Sequence, residues 1–139
     1  MQKGKTIDQL TVGQEYESRV VITAEMIEDF ARATGDYNPI HLDEAYAAGT
    51  IFKTRVAHGM LLAGALSGIL GTQFPGVGTI YMSQTLKFTK PVLIGDQITL
   101  RLKVLEKVEA KNRIRLETIC RNQRDDVVLT GEALVMPPR

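Results

Sequence analysis

The first half of the chain has the hydrophobic spacing of helices. A short run from Glu15 to Val21 is rich in β-branched and aromatic residues and predicts an opening strand. After Thr23, which is a suitable N-cap, apolar residues recur at every third or fourth position, and this predicts an amphipathic helix that ends at Gly35. Asp43 predicts the start of a second, short helix that stops at Gly49.

The segment from Met60 to Leu70 is apolar on nearly every side, which predicts a helix buried all round. Gly64, Gly68 and Gly71 are three or four residues apart, so they share one helix face, where the backbone of another element can approach closely. At about 1.5 Å per residue the segment is much shorter than a bilayer is thick. We therefore expect a helix that is wrapped by a sheet.

After Gly76 the pattern is almost entirely that of strands. Apolar and polar residues alternate from Ile98 to Val104 and again from Arg113 to Glu117, as in strands with one buried and one exposed face. Candidate strands also cover Thr79 to Phe88 and Val127 to Met136. Helices followed by an antiparallel meander indicate an α+β fold, in which a curved antiparallel sheet packs around one long helix.

Composition and charge are those of an ordinary globular protein. The chain has 139 residues, 44% hydrophobic and 24% charged, which predicts one domain over residues 1–139. The net charge of +1 gives no global field for nucleic acid or an anionic membrane. No apolar signal segment follows the polar N-terminus, and the single Cys120 excludes an intramolecular disulfide, so we expect a cytoplasmic location. Cys120 is more typical of a buried, inert thiol than of a nucleophile.

The first candidate site lies in residues 35–43, between the helix predicted to end at Gly35 and the short helix predicted to start at Asp43. Pro39 restricts the backbone there, so we expect an ordered loop that carries a carboxylate, Asp36, and an imidazole, His41. Such a pair can hold one water molecule and move a proton. The same segment also suits a plain turn, since Asp and Asn are common turn residues and His41 can be a surface or capping group. The residues alone leave both interpretations open.

The second candidate is His58-Gly59, at the start of the predicted central helix. The N–H groups of Gly59 and Met60 have no helical acceptor, so they can stabilise negative charge on a carbonyl oxygen; alternatively, Gly59 only eases a tight entry into the helix. Ser67, two turns later, either reaches the same site or bonds back to its own helix. Two histidines with scattered carboxylates are not a metal-binding pattern, so we expect no metal and no cofactor.

Residues 33–43, followed by Phe52 and Val56-Ala57-His58-Gly59-Met60, resemble the hydratase motif of MaoC-like proteins. Within that family the chain is most similar to the stand-alone (R)-specific enoyl-CoA hydratases, and the similarity continues as far as Thr130-Gly131-Glu132-Ala133. The resemblance implies a hot-dog fold, in which an antiparallel sheet wraps a central helix. It also implies a homodimer that acts on an acyl-CoA substrate.

The reaction that the resemblance implies is syn addition of water to a trans-2-enoyl-CoA, which gives a (3R)-hydroxyacyl-CoA. Asp36 and His41 then hold and deprotonate the water together, and Gly59 supplies an oxyanion-hole N–H. The supporting residues that the resemblance implies are Asn38, which orients the pair, Ser67 and His58.

Three other functions use a similar chain. A (3R)-hydroxyacyl-ACP dehydratase has the same machinery and needs a basic docking patch, although the basic residues also suit CoA phosphates or plain solvent exposure. A hot-dog thioesterase is disfavoured by the spacing of Asp36 and His41, and a non-catalytic acyl-thioester-binding subunit has no chemical need for both groups. The basic candidates are Lys87, Lys90, Arg101 and Lys103, and the candidates for the floor of an acyl pocket are Tyr46, Phe52, Leu62, Leu66 and Phe74.

Overall fold

Local capping signals set the limits of the first elements. In the computed structural model, which describes residues 2–139 and so leaves out the first residue of the polar N-terminus, strand β1 spans Glu15–Val21 and helix α1 spans Ala24–Thr34. The Thr23 side chain accepts a hydrogen bond from the third helical N–H at 3.1 Å. Gly35 ends α1 in the left-handed conformation, with φ at 78°. The predicted strand and helix are both confirmed.

Two short helices follow, α2 over Pro39–Leu42 and α3 over Glu44–Ala48. The second is confirmed as predicted, with Asp43 as its N-cap. The expected loop before it is instead one helical turn. Asn38 caps this turn, because its side-chain oxygen accepts the N–H of Ile40 at 3.2 Å. Pro39 occupies the first helical position, where its fixed φ suits a helix and its missing N–H costs nothing.

Helix α4 spans Gly59–Thr72 and is the central helix. The prediction that it is buried all round is wrong for the single chain, because only one side packs into the core. On the other side Met60 is 52% exposed, and side chains added at the three glycines would meet no atom within 4 Å. Hydrophobicity alone cannot tell whether an apolar surface is covered by the same chain. We call this side the open face of α4; it consists of Met60, Gly64, Ser67, Gly68 and Gly71.

All six strands belong to one antiparallel sheet. Its order is β1-β4-β5-β6-β2, and the two-residue β3 also pairs with β6. The predicted strands in the second half are thus confirmed in kind, although β4 and β5 are longer than the alternation indicates. The strands after β1 are β2 (Ile80–Gln84), β3 (Lys87–Phe88), β4 (Gln97–Val108), β5 (Arg113–Arg121) and β6 (Val127–Met136).

The strand predicted from Thr79 to Phe88 is interrupted between β2 and β3. At this point the chain crosses directly over Gly131 of β6, where a Cβ would lie 1.8 Å from the carbonyl oxygen of Thr85. The Thr85 N–H donates to the carbonyl of Glu132 at 2.9 Å and keeps the two segments in contact. Glycine is required at position 131 because the two backbones leave no space for a side chain.

The core lies between the sheet and the inner side of α4. Alternate residues of β4 and β5 point into it, together with Leu62, Leu66, Ile69 and Leu70 of the helix. Cys120 is fully buried there, and burial raises the pKa of its thiol to about 12, as expected for an inert group. An antiparallel sheet around a central helix confirms the predicted α+β, hot-dog architecture. Within residues 2–139, no helix has the length and apolar character needed to cross a membrane.

Candidate active site

A cavity of about 670 Å³ opens between the end of α1, helix α2, the start of α4 and strand β3. One part of its wall is polar and carries Asp36, His41, His58 and Gly59. Most of the remaining wall is apolar, as a site for an acyl chain requires. The apolar lining residues are Phe30, Phe52, Val56, Ala57, Met60, Leu62, Phe88, Pro91, Val92 and Val128.

Two contacts hold His41 in place, one at its ring and one at its own backbone carbonyl. Its Nδ1 lies 2.7 Å from the carbonyl oxygen of Val56. Because a carbonyl oxygen only accepts, Nδ1 carries the hydrogen, and in the neutral ring Nε2 keeps its lone pair. The side-chain Nε of Arg55 donates to the carbonyl of His41 at 2.7 Å and fixes the helical turn from the other side. Nε2 is therefore available to accept a proton.

Asp36 lies in the exposed stretch between α1 and α2. Its carboxylate accepts the N–H of Asn38 at 3.2 Å, which turns it toward the start of α2. A carboxylate oxygen of Asp36, one ring nitrogen of His41 and one ring nitrogen of His58 all lie within 4.8 Å of one another. A water molecule that bonds to two groups at about 2.8 Å each needs a similar separation. The structure thus brings Asp36 and His41 together at the distance that one shared water requires.

The same three side chains are also potential metal ligands, but the two imidazoles are badly oriented for that purpose. The rings of His41 and His58 pack against each other at a tilt, with centroids 3.9 Å apart and an angle of 31° between their planes. The lone pair of an imidazole nitrogen lies in the ring plane, so two rings packed in this way direct their lone pairs largely side by side rather than toward one ion. This geometry favours acid–base chemistry over metal binding.

The N-terminus of α4 provides hydrogen-bond donors at the cavity. The N–H groups of Gly59 and Met60 have no acceptor among the described residues, and both residues line the cavity. A Cβ at position 59 would lie 2.7–2.9 Å from three atoms of the Phe88 ring. Gly59 therefore allows this ring to cover the first turn of the helix, while its N–H remains without an acceptor at the cavity within residues 2–139.

The supporting residues have different positions. Asn38 contacts neither reacting side chain through its own side chain; it holds α2 as the N-cap. His58 is 2% exposed and touches both Asp36 and His41. Ser67 lies on the open face of α4, does not line the cavity, and has no hydrogen bond within residues 2–139. In the single chain it therefore neither reaches the site nor bonds back to its helix.

The basic candidates do not form one patch. Lys87 is exposed on β3, and Lys90 lines the cavity, where its amino group lies 3.4 Å from Asp126. Arg101 and Lys103 lie on the outer face of the sheet, and Arg101 pairs there with Glu117. Of these four basic residues, Lys90 is the one that lines the cavity.

The five candidates for the pocket floor lie in different parts of the structure. Phe52 and Leu62 line the cavity. Leu66 and Phe74 belong to the core, and Tyr46 is 54% exposed, so these three do not form the floor in the single chain.

Two contributors to the site have no signal in the sequence. The carbonyl of Val56 fixes the tautomer of His41, and any residue type supplies such a carbonyl. Phe88 covers Gly59 from β3, which is only two residues long. The neighbouring Pro91 marks the end of a strand but does not indicate where the ring lies.

Comparison with known proteins shows extensive similarity. The family model described as MaoC like domain matches residues 8–125. A 3-hydroxybutyryl-CoA dehydratase from Methylorubrum extorquens is 46% identical over 132 residues, which are 95% of this chain and 83% of the relative. An (R)-specific enoyl-CoA hydratase from Rhodospirillum rubrum is 45% identical over 126 residues, 91% of this chain and 87% of the relative. The unliganded R-hydratase PhaJ1 from Pseudomonas aeruginosa superimposes with a TM-score of 0.94 at 46% identity, over 98% of this chain and 87% of that one.

Proposed function

Because this chain belongs to the MaoC-like domain family, we propose that it is an (R)-specific enoyl-CoA hydratase, a hydro-lyase. It adds water reversibly to a trans-2-enoyl-CoA and forms a (3R)-hydroxyacyl-CoA. The observation that carries the proposal is the approach of Asp36 and His41 within 4.8 Å in an apolar cavity, beside the free N–H groups of α4. A dehydratase such as the Methylorubrum relative catalyses this type of equilibrium in the opposite direction.

In the proposed mechanism, Asp36 and His41 hold one water molecule and take one of its protons. The oxygen adds to the β-carbon of the enoyl group, and the electron pair of the double bond moves toward the thioester carbonyl. The Gly59 N–H and the N-terminus of α4 stabilise the resulting oxyanion. A proton is returned to the α-carbon on the same face, which completes syn addition and leaves the enzyme unchanged.

The carrier-protein dehydratase uses the same steps, and Lys90 at the cavity suits the phosphate of either thioester handle. The other three basic candidates do not line the cavity. The binding-subunit alternative gains nothing from the site, because simple binding needs neither the carboxylate nor an imidazole with a free Nε2.

The proposed enzyme is a cytoplasmic homodimer. The open face of α4 is apolar and uncovered, and β2 at the end of the sheet carries Ile80 and Met82, which are 55% and 43% exposed. A second copy that packs on these adjoining surfaces would cover both. The unpaired, buried Cys120 suits a reducing compartment.

The decisive experiment follows the loss of the conjugated-enoyl absorbance when purified protein is mixed with crotonyl-CoA, and then separates the product on a chiral column. We expect the (3R) alcohol. Asp36→Asn and His41→Ala should each lower turnover by at least about 10²-fold while circular dichroism shows an intact fold. Near-full activity of either variant would refute the assigned pair. Turnover of only the carrier-protein thioester would identify the dehydratase, and binding without any turnover would identify the binding subunit.

A further inference from the structure

We propose that His58 is a positioning residue that holds Asp36 and His41 in their reactive arrangement; this inference rests on the proposed hydratase function. Asp36 is exposed and His41 is partly exposed, whereas His58 is 2% exposed. It is the N-cap residue of α4, yet its side chain makes no capping hydrogen bond. Its ring instead contacts Asp36 and His41.

The first contact fixes the main chain at Asp36. The Nε2 atom of His58 lies 3.0 Å from the carbonyl oxygen of Asp36. Since that oxygen only accepts, Nε2 carries the hydrogen and donates. Asp36 lies in a stretch outside any helix or strand, so this bond ties an otherwise exposed segment to the start of the central helix. The direction of the carboxylate depends on the backbone that carries it.

The second contact fixes the ring of His41. The His58 ring packs against Phe30, at a centroid distance of 4.7 Å, and against His41, at 3.9 Å. Rings at such distances restrict each other's rotation, and the bond from His41 to Val56 defines the remaining angle. The His41 ring is thus held in one orientation, with one of its nitrogens within 4.8 Å of a carboxylate oxygen of Asp36. Small displacements of reacting groups are costly, because about 1 Å can lower a rate by 10²-fold.

The remaining nitrogen of His58 shows that the residue has one tautomer. Nδ1 is buried and has no partner within residues 2–139. A lone pair there costs less free energy than an unpaired, positively charged N–H. In the neutral ring the hydrogen is therefore on Nε2, as the contact with the Asp36 carbonyl requires. His58 then donates to Asp36, and the proton that moves during the reaction is carried by the exposed pair.

Three substitutions separate the donor from the ring. In His58→Gln the side-chain amide nitrogen reaches about the position of Nε2 and can still donate to Asp36. In His58→Asn the amide is one carbon too short for this. His58→Phe keeps a flat ring against Phe30 and His41 but has no donor. His58→Gln and His58→Asn both lack the ring and differ in the donor, so this pair tests the bond to Asp36.

We expect His58→Phe and His58→Asn to lower kcat for crotonyl-CoA by at least about tenfold, with KM within about threefold of the wild-type value. His58→Gln should restore kcat to within about threefold of wild type. The inference is wrong if both non-donating variants keep kcat within about twofold of wild type, if His58→Gln is as impaired as they are, or if only KM changes.

A spectroscopic measurement distinguishes failure of this inference from failure of the proposed function. The chain has two histidines, so ¹⁵N signals of the ring nitrogens are assigned by comparison with His58→Gln. We expect hydrogen on Nε2 of His58 and on Nδ1 of His41, with the His41 tautomer retained in His58→Phe, which keeps a ring against His41. Hydrogen on Nδ1 of His58 would overturn the inference even in an active hydratase. The expected tautomers in a protein that hydrates no enoyl thioester would instead overturn the function and leave the geometry standing.

Discussion

At the scale of single residues, the site depends on backbone groups as much as on side chains. The Val56 carbonyl selects the tautomer of His41, the Asp36 carbonyl receives the bond from His58, and the Gly59 N–H is the proposed oxyanion donor. The sequence identifies Asp36 and His41 as the candidate pair, because an Asp and a His around Asn38-Pro39 resemble the hydratase motif, and the structure places the two side chains near each other. The backbone partners are not predictable, since every residue type has the same amide.

Gly59→Ala tests the close contact at the start of α4. The added methyl group must displace the Phe88 ring or the helix turn, since three ring atoms lie 2.7–2.9 Å from its position. We expect kcat to fall by about tenfold because the oxyanion N–H moves. Steady-state kinetics of the variant with crotonyl-CoA checks this.

The matched control is Gly59→Ala combined with Phe88→Ala, which removes the ring that the methyl group meets. If the clash is the cause, the double variant recovers part of the loss relative to Phe88→Ala alone. Equal losses in both backgrounds would contradict this explanation.

Cys120 allows a prediction about reactivity and pH. Because burial raises its pKa to about 12 from a usual 9.0, we expect a thiol reagent such as DTNB to react at pH 8 only after unfolding in urea.

The same shift makes stability depend on pH. From pH 9 toward 12, the unfolded chain loses the proton of the Cys120 thiol and the folded chain keeps it. The free energy of unfolding should therefore fall as pH rises, by up to about 1.4 kcal/mol per pH unit. Urea titrations across this range should show a shallower fall for Cys120→Ala; an equal fall would exclude the thiol as the source.

At the scale of elements, predictability follows the length of the pattern. The strand Glu15–Val21 and the helix that ends at Gly35 have clear periodicity and caps, and both match the structure. Helix α2 has only four residues, too few to show a period, although it carries His41. The interruption between β2 and β3 depends on a close approach to Gly131, which no local pattern reveals.

The N-cap of α2 is expected to matter for both stability and activity. Asn38→Ala removes the acceptor for the Ile40 N–H and should cost about 1 kcal/mol of unfolding free energy. It also loosens the turn that carries His41, so we expect a severalfold lower kcat. Asn38→Ser keeps a capping oxygen and is the control; urea denaturation and kinetics of both variants provide the comparison. A serine variant as impaired as the alanine variant would show that the amide has a role beyond capping.

At the scale of the whole molecule, the open face of α4 is the feature that sequence patterns describe least well. The helix is apolar on nearly every side, and the sequence therefore predicts burial without indicating what buries it. Within residues 2–139, no other element covers the open face of α4. As predicted, Gly64, Gly68 and Gly71 share one helix face, and this face is the open face of α4.

Gly68→Glu tests the proposed dimer. The single chain has room for this side chain, since a Cβ at position 68 meets nothing within 4 Å, so the fold should be retained. A charge buried between two apolar helix faces should disrupt association. We expect light scattering to give a dimer for the wild type and for the control Thr11→Glu, and a monomer for Gly68→Glu at micromolar concentration. A wild-type monomer would contradict the dimer directly.

The pairing of β1 with β4 has a consequence for how the chain folds as it is made. Glu15 is opposite Lys103, so the first strand has no partner in this sheet until the ribosome has produced most of the chain. The apolar α4 emerges before β4, β5 and β6, which form most of its covering. Contacts so distant in sequence close slowly, and exposed apolar segments in the meantime favour aggregation. This fold is therefore completed only after β4, β5 and β6 have been synthesised, and until then chaperones that bind apolar segments have a target in the uncovered central helix.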